Sequence, residues 1–115
     1  MTVLRSVDPG LLALIEGRLG SINPEPGYFI VNFGSSLEVL TADLPTPVRA
    51  NIHGVVGTER AAGQPDRISY VTFLDSNLDG TIYRITNDGT AQPVQSVADF
   101  AVQEVNRTYN DDITL

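Results

Sequence analysis

In "DSNLDGTIYRIT", residues 75–86, oxygen-bearing side chains fall at the first, third and fifth positions and a glycine at the sixth. A calcium loop of the EF type uses that spacing to wrap ligands around a hard cation and turn the backbone sharply. Asp75, Asn77 and Asp79 are the candidate ligands, Gly80 the turn, and Ile82 the apolar residue that packs behind the loop. The twelfth position, where a bidentate acid would close the coordination shell, is Thr86. The flanks also read as strands rather than helices. Asp and Asn bond nearby backbone in ordinary turns, and glycine admits positive φ there. The segment is therefore expected to be a turn between paired strands without a resident metal, Asp75, Asn77 and Asp79 being only weak candidate ligands.

Other chemistry is thinner. His53 is the only histidine, which rules out a three-histidine metal site, and the absence of cysteine removes disulfides, thiolate catalysis and Cys-based metal centres. "GSS" at 34–36 is not a nucleophile elbow, and no spacing ties Ser35 or Ser36 to His53. "GVVG" at 54–57 lacks the lysine and helix start of a phosphate loop. Glu16 and Glu38 read as solvent-facing charges rather than a catalytic pair. Asn106-Arg107-Thr108 fits a glycosylation acceptor but falls in a helical segment. With no convergent set for acid–base, nucleophilic or metal chemistry, the chain is read as a non-enzyme without a cofactor.

Charge narrows the partners. Fourteen acids against seven arginines give −7, divided as −2 over residues 1–65 and −5 over residues 66–115. Such a field repels phosphates, which argues against nucleic acid and anionic membranes, and it attracts basic protein surfaces and divalent cations. Charged residues make up 18% of the chain, below the roughly 25% of ordinary domains. That fits a surface partly covered by partners, or one carried by Ser, Thr, Asn and Gln. No run of about 18 apolar residues is present, and "MTVLRSVDPG" has no signal-peptide pattern, so a cytoplasmic or virion location is expected.

The elements that would position these residues follow from periodicity. Asp8, Pro9 and "GLLALIEGRLG" suggest a capped helix with Leu11, Leu14, Ile15 and Leu19 on one face. "YFIVNF" and "LEVLT" read as a hairpin, "VRANIHGVV" as a strand with Val48, Ala50, Ile52 and Val56 inward, and "TERAAGQPD" as a mobile loop. "RISYVTFL" and "TIYRIT" read as an antiparallel pair, and "NDG" at 87–89 as the next turn. Ser96 and Asp99 begin a second helix with Val97, Phe100, Ala101, Val105 and Tyr109 on one stripe. The expected fold is α+β: one antiparallel sheet of five to six short strands with an N-terminal and a C-terminal helix packed on one face. Residues 1–109 form a single domain in this reading and residues 110–115 an acidic tail.

"LIEGRLG", the following prolines, Tyr28 with "VNFG", and "QSVADFAVQEV" resemble toxin-immunity proteins of the SUKH superfamily. The resemblance implies an acidic α+β binder of nuclease toxins. In that family the Tyr/Phe segment is helical, whereas "YFIVNF" reads as strand, and residues 40–67 have no counterpart, so no site residues carry over.

The functional expectation is a structural or assembly protein, an accessory subunit of a larger particle such as a viral capsid or tail component, working with copies of itself or other subunits. The alternative is an acidic inhibitor or immunity-type protein for a basic partner. In either case Asp99, Asp111 and Asp112 are the expected acidic contacts and Ile113 and Leu115 the apolar anchors, because an acidic tail ending in "ITL" has little reason to order alone.

Overall fold

The computed structural model describes residues 1–57 and 59–109. The chain divides into two compact units, Met1–Ser35 with Arg49–Leu74, and Ser36–Val48 with Asp75–Leu115.

Among the described residues, the regular elements within the first unit are strands, a helix only beginning on its Ser35. Strand β1 (Thr2–Ser6) lies between β4 (Ile30–Asn32) and β6 (Ser69–Phe73), antiparallel to both. Residues directly opposite each other share a face, so Leu4, Ile30 and Val71 line one side, and Val3, Val31 and Thr72 the other. Leu4 is buried. A second three-stranded sheet places β2 (Leu11–Ile15) between β3 (Arg18–Ile22) and β5 (His53–Val55). Leu11 and Ala13 alternate into its buried side.

The N-terminal helix expected over "GLLALIEGRLG" is instead the β2–β3 hairpin. Glu16 (φ 49°) and Gly17 (φ 78°) form its two-residue loop, and two successive positive φ values give the primed turn whose twist matches that of the flanking strands. Gly10, at φ 133°, cannot begin a helix. Leu11, Leu14, Ile15 and Leu19 satisfy helical spacing, yet in the hairpin Leu14 pairs with Leu19 on the face opposite to Leu11.

In the second unit, helix α1 (Ser35–Thr41), which starts on the last residue of the first unit's opening segment, replaces the strand expected over "LEVLT". Thr41 is buried. Its hydroxyl donates to the Leu37 carbonyl at 2.9 Å and accepts the Val48 amide at 2.9 Å, so the loop through Pro45 and Pro47 closes back on the helix. Strands β7 (Thr81–Ile85) and β8 (Ala91–Ser96) form a two-stranded ribbon, on which helix α2 (Val97–Tyr109) packs. Ile82 and Val97 are its buried apolar side chains.

The α+β character stands, but the expected architecture does not. The strands separate into sheets of three, three and two rather than one sheet of five to six, and no N-terminal helix covers them. "RISYVTFL" and "TIYRIT" are not partners: β6 pairs with β1 and β7 with β8. Only His53–Val55 of "VRANIHGVV" is strand, and Ile52 and Val56 are exposed rather than inward. The C-terminal helix is present, but Val105 and Tyr109 stand exposed at the far end of its stripe. Among the described residues no helix is long and apolar enough to cross a membrane.

Candidate functional site

The segment with calcium-loop spacing closes as a backbone turn. Gly80 donates its amide to the Asn77 carbonyl at 2.9 Å. A Cβ on Gly80 would stand 3.0 Å from that carbonyl oxygen, so close approach, rather than a positive φ, demands glycine here. The Gly80 carbonyl then accepts the Val97 amide at 3.0 Å and fixes the first turn of α2 to the ribbon. The loop leads into β7 from the end of β6, strands of different sheets, which corrects the expected turn between paired strands. Among the described residues no three His, Asp or Glu side chains gather as a metal-binding group. Asp75 and Asp79 are both exposed.

His53 begins β5 and is exposed, and its Nδ1 meets the Asn51 carbonyl at 2.9 Å. A nitrogen bonded to a carbonyl must carry the proton. The position where a triad acid would orient the ring is thus taken by the chain's own backbone.

Arg60 and Arg67 both engage main-chain carbonyls. Arg67 Nε donates to the Pro9 carbonyl at 3.0 Å. Arg60 donates to the Pro65 carbonyl at 2.8 Å and lies 3.7 Å from the Asp8 carboxylate. These arginines join residues 8–10 to residues 60–67; they form no site.

Asp99, expected as a partner contact, lies in the first turn of α2, where its amide donates to, and its carboxylate accepts from, the Ser96 hydroxyl that caps the helix. Asp88 holds the β7–β8 turn: the Thr86 hydroxyl and the Thr90 amide both donate to its carboxylate. These bonds, that of Thr86 foremost, hold the Asp88 carboxyl below its ordinary value. Arg84 lies 4.0 Å from Asp43, a charge contact too long for a hydrogen bond. Asp111, Asp112, Ile113 and Leu115 lie outside the described residues.

Two properties of the surface stand out from this inventory. The first is charge partition. The first unit's sequence holds five acids and five arginines, whereas the second holds nine acids and two arginines, so the whole −7 belongs to the second unit. The division at residue 65 blurred this, because it put the acids of α1 and its loop with the neutral unit. The second is apolar exposure on the neutral unit, which includes Tyr28, Phe29 and Phe33 beside β4 and Tyr70 and Phe73 on β6. All five residues of β6 are exposed, with Tyr70 at 72% and Phe73 at 67%. Sequence reasoning paired "RISYVTFL" with "TIYRIT" and did not mark it as an exposed edge. Its signal was the uncharged run from Ile68 to Leu74, which suits any covered strand, whether covered by its own chain or by another.

In comparison with known proteins, the chain matches no family model, no curated protein and no solved structure.

Proposed function

We propose that this protein is a non-catalytic assembly subunit, an accessory component of a larger particle such as a capsid or tail. The observation that carries this reading is the exposed, uncharged strand β6 of the neutral unit, with Tyr70 and Phe73 open to solvent. Exposed apolar patches of this kind mark interaction sites, and a strand that is apolar, uncharged and paired on one side only invites a partner strand. The backbone bond on His53 and the structural use of Asp88 and Asp99 favour a non-enzymatic role, since they engage polar groups in holding turns and caps. The chain, tagged in its source, should sediment in a complex many times its own mass, at fixed stoichiometry with the other subunits. Recovery solely as free chain would sink the reading.

The concentration of the −7 charge in the second unit favours a second reading, an acidic inhibitor of a basic protein. That reading requires a small discrete complex with one basic partner and no particle, so the same sedimentation experiment separates the two.

A further inference from the structure

We infer that the free edge of β6 is a self-association surface, at which the β6 strands of two copies pair antiparallel about a twofold axis at Val71. This inference deepens the assembly reading and rests on it. Strand β6 is matched residue for residue with β1 from Ser69 to Phe73, and among the described residues no strand lies on its other side. The edge carries none of the devices that keep such edges single: it has no charge and no proline from Ile68 to Leu74, and no bulge in its register with β1.

The composition of the strand selects a second copy as the occupant. Full overlap of a five-residue strand with itself puts the axis at its middle residue, Val71. Ser69 then faces Phe73 of the other copy without a clash, and Tyr70 faces Thr72, an aromatic–β-branched pair of the kind favoured on a pleated surface. The two faces continue in phase, and Leu4 and Val71 of one copy extend into Val71 and Leu4 of the other as one apolar stripe. No charge stands at the contact itself: the unit that carries β6 has no net charge, whereas a basic partner would be drawn to the other unit. Apolar area contributes as well. Tyr70 and Phe73 are aromatic side chains of about 150–250 Å² each and are mostly exposed. Edge pairing covers the flanks of these side chains and of Ile68, Val71 and Leu74 rather than their whole surface, so the ladder hydrogen bonds and the continued apolar stripe supply the rest of the attraction.

Because the chain has no cysteine, Val71→Cys introduces a single thiol at the axis. Directly opposed strand positions bring Cα atoms within disulfide range, so mild oxidation should convert this variant to a covalent dimer, while Leu19→Cys on β3 should remain uncrosslinked. In sedimentation velocity at tens of micromolar the wild type should be at least dimeric. Val71→Lys and Thr72→Lys, placed on opposite faces of the same edge, should each weaken dimerisation at least tenfold without changing the far-ultraviolet circular dichroism. A wild type that stays monomeric alone and yet sediments with a particle in its source would overturn the paired edge and leave the assembly reading intact. An oligomer indifferent to both lysines would place self-association elsewhere and overturn the edge alone. If truncation after Tyr109 abolishes the dimer and Val71→Cys does not crosslink, the tail is the occupant, and the proposal fails.

Discussion

The Ser96 hydroxyl donates to the Asp99 carboxylate at 2.7 Å and accepts the Asp99 amide at 3.0 Å, so one serine caps α2 and fixes the acid three residues on. In this bond the carboxylate also sits over the positive end of the helix, where an anion is favoured. Ser96→Ala should therefore cost about 0.5–2 kcal/mol of stability, read as a lower urea midpoint with an unchanged slope. Asp99→Asn should cost less, because an amide can still accept the serine hydroxyl. If Asp99→Asn weakens partner binding while leaving the midpoint alone, Asp99 is a contact and not a cap.

Glu16 sits at φ 49° beside Gly17 at φ 78°, and a glutamate has no local side-chain bond with which to offset left-handed backbone. Asparagine does, and Asn-Gly is the favoured pair for this loop. Glu16→Asn should raise stability by about 0.5–1 kcal/mol, measured as an upward shift in thermal midpoint. A lowered midpoint would mean that Glu16 makes a contact that outweighs its strain.

That turn also shows what the sequence made legible. The Ser96 cap, the α2 helix and the turn over Asn87–Gly89 were readable because each depends on residues within four positions of one another. The β2–β3 hairpin was not, because Leu11, Leu14, Ile15 and Leu19 meet the helical and the paired-strand pattern equally, and the deciding residues were the glycines at 10 and 17. Strand partners were not readable either. Ser69–Phe73 pairs with Thr2–Ser6 across more than sixty residues, and nothing local distinguishes that partner from the nearer Thr81–Ile85. The candidate site suffered from the same limit, since an exposed apolar edge and a buried strand are written in the same letters.

Asp88 is held ionised by the Thr86 hydroxyl first and the Thr90 amide second, and its carboxyl lies below its ordinary value of 3.8. A carboxyl whose folded-state value is depressed contributes stability above its unfolded value, and that contribution is lost as the pH falls through the folded one. The turn should thus loosen only in acid, below about pH 4. A carboxyl titration followed by nuclear magnetic resonance should give Asp88 a midpoint under that of an unstructured aspartate, and Thr86→Val should move it upward. An unmoved midpoint in the variant would discard Thr86 as the cause.

The segment from Asp75 to Gly80 should show no calcium affinity in the sensor range, with any dissociation constant weaker than about 10⁻⁵ M. Its geometry answers to packing instead. Gly80→Ala pushes a methyl to 3.0 Å from the Asn77 carbonyl and 3.6 Å from a Val97 methyl, and should cost about 1–3 kcal/mol by overpacking. Calorimetric titration and urea unfolding check the two halves of this prediction. A tight calcium site would make Asp75, Asn77 and Asp79 ligands after all.

Salt should separate the two kinds of contact that the charge partition allows. Each copy carries −7, all of it in the second unit, so two copies approaching one another repel at long range even though the strands that meet are uncharged. Raising ionic strength from about 0.05 to 0.5 M shortens the screening length from more than 10 Å to a few ångströms. Removing that repulsion should tighten self-association, whose attraction comes from apolar burial and backbone pairing. Binding to a basic protein has the opposite sign, because there the long-range term is attractive and drives the association rate. Sedimentation velocity across this range should show the dimer fraction rising with salt. A dimer that dissociates as salt is added must be held by opposite charges, and its interface would then lie among the acids of the second unit and the arginines of the first, not at β6.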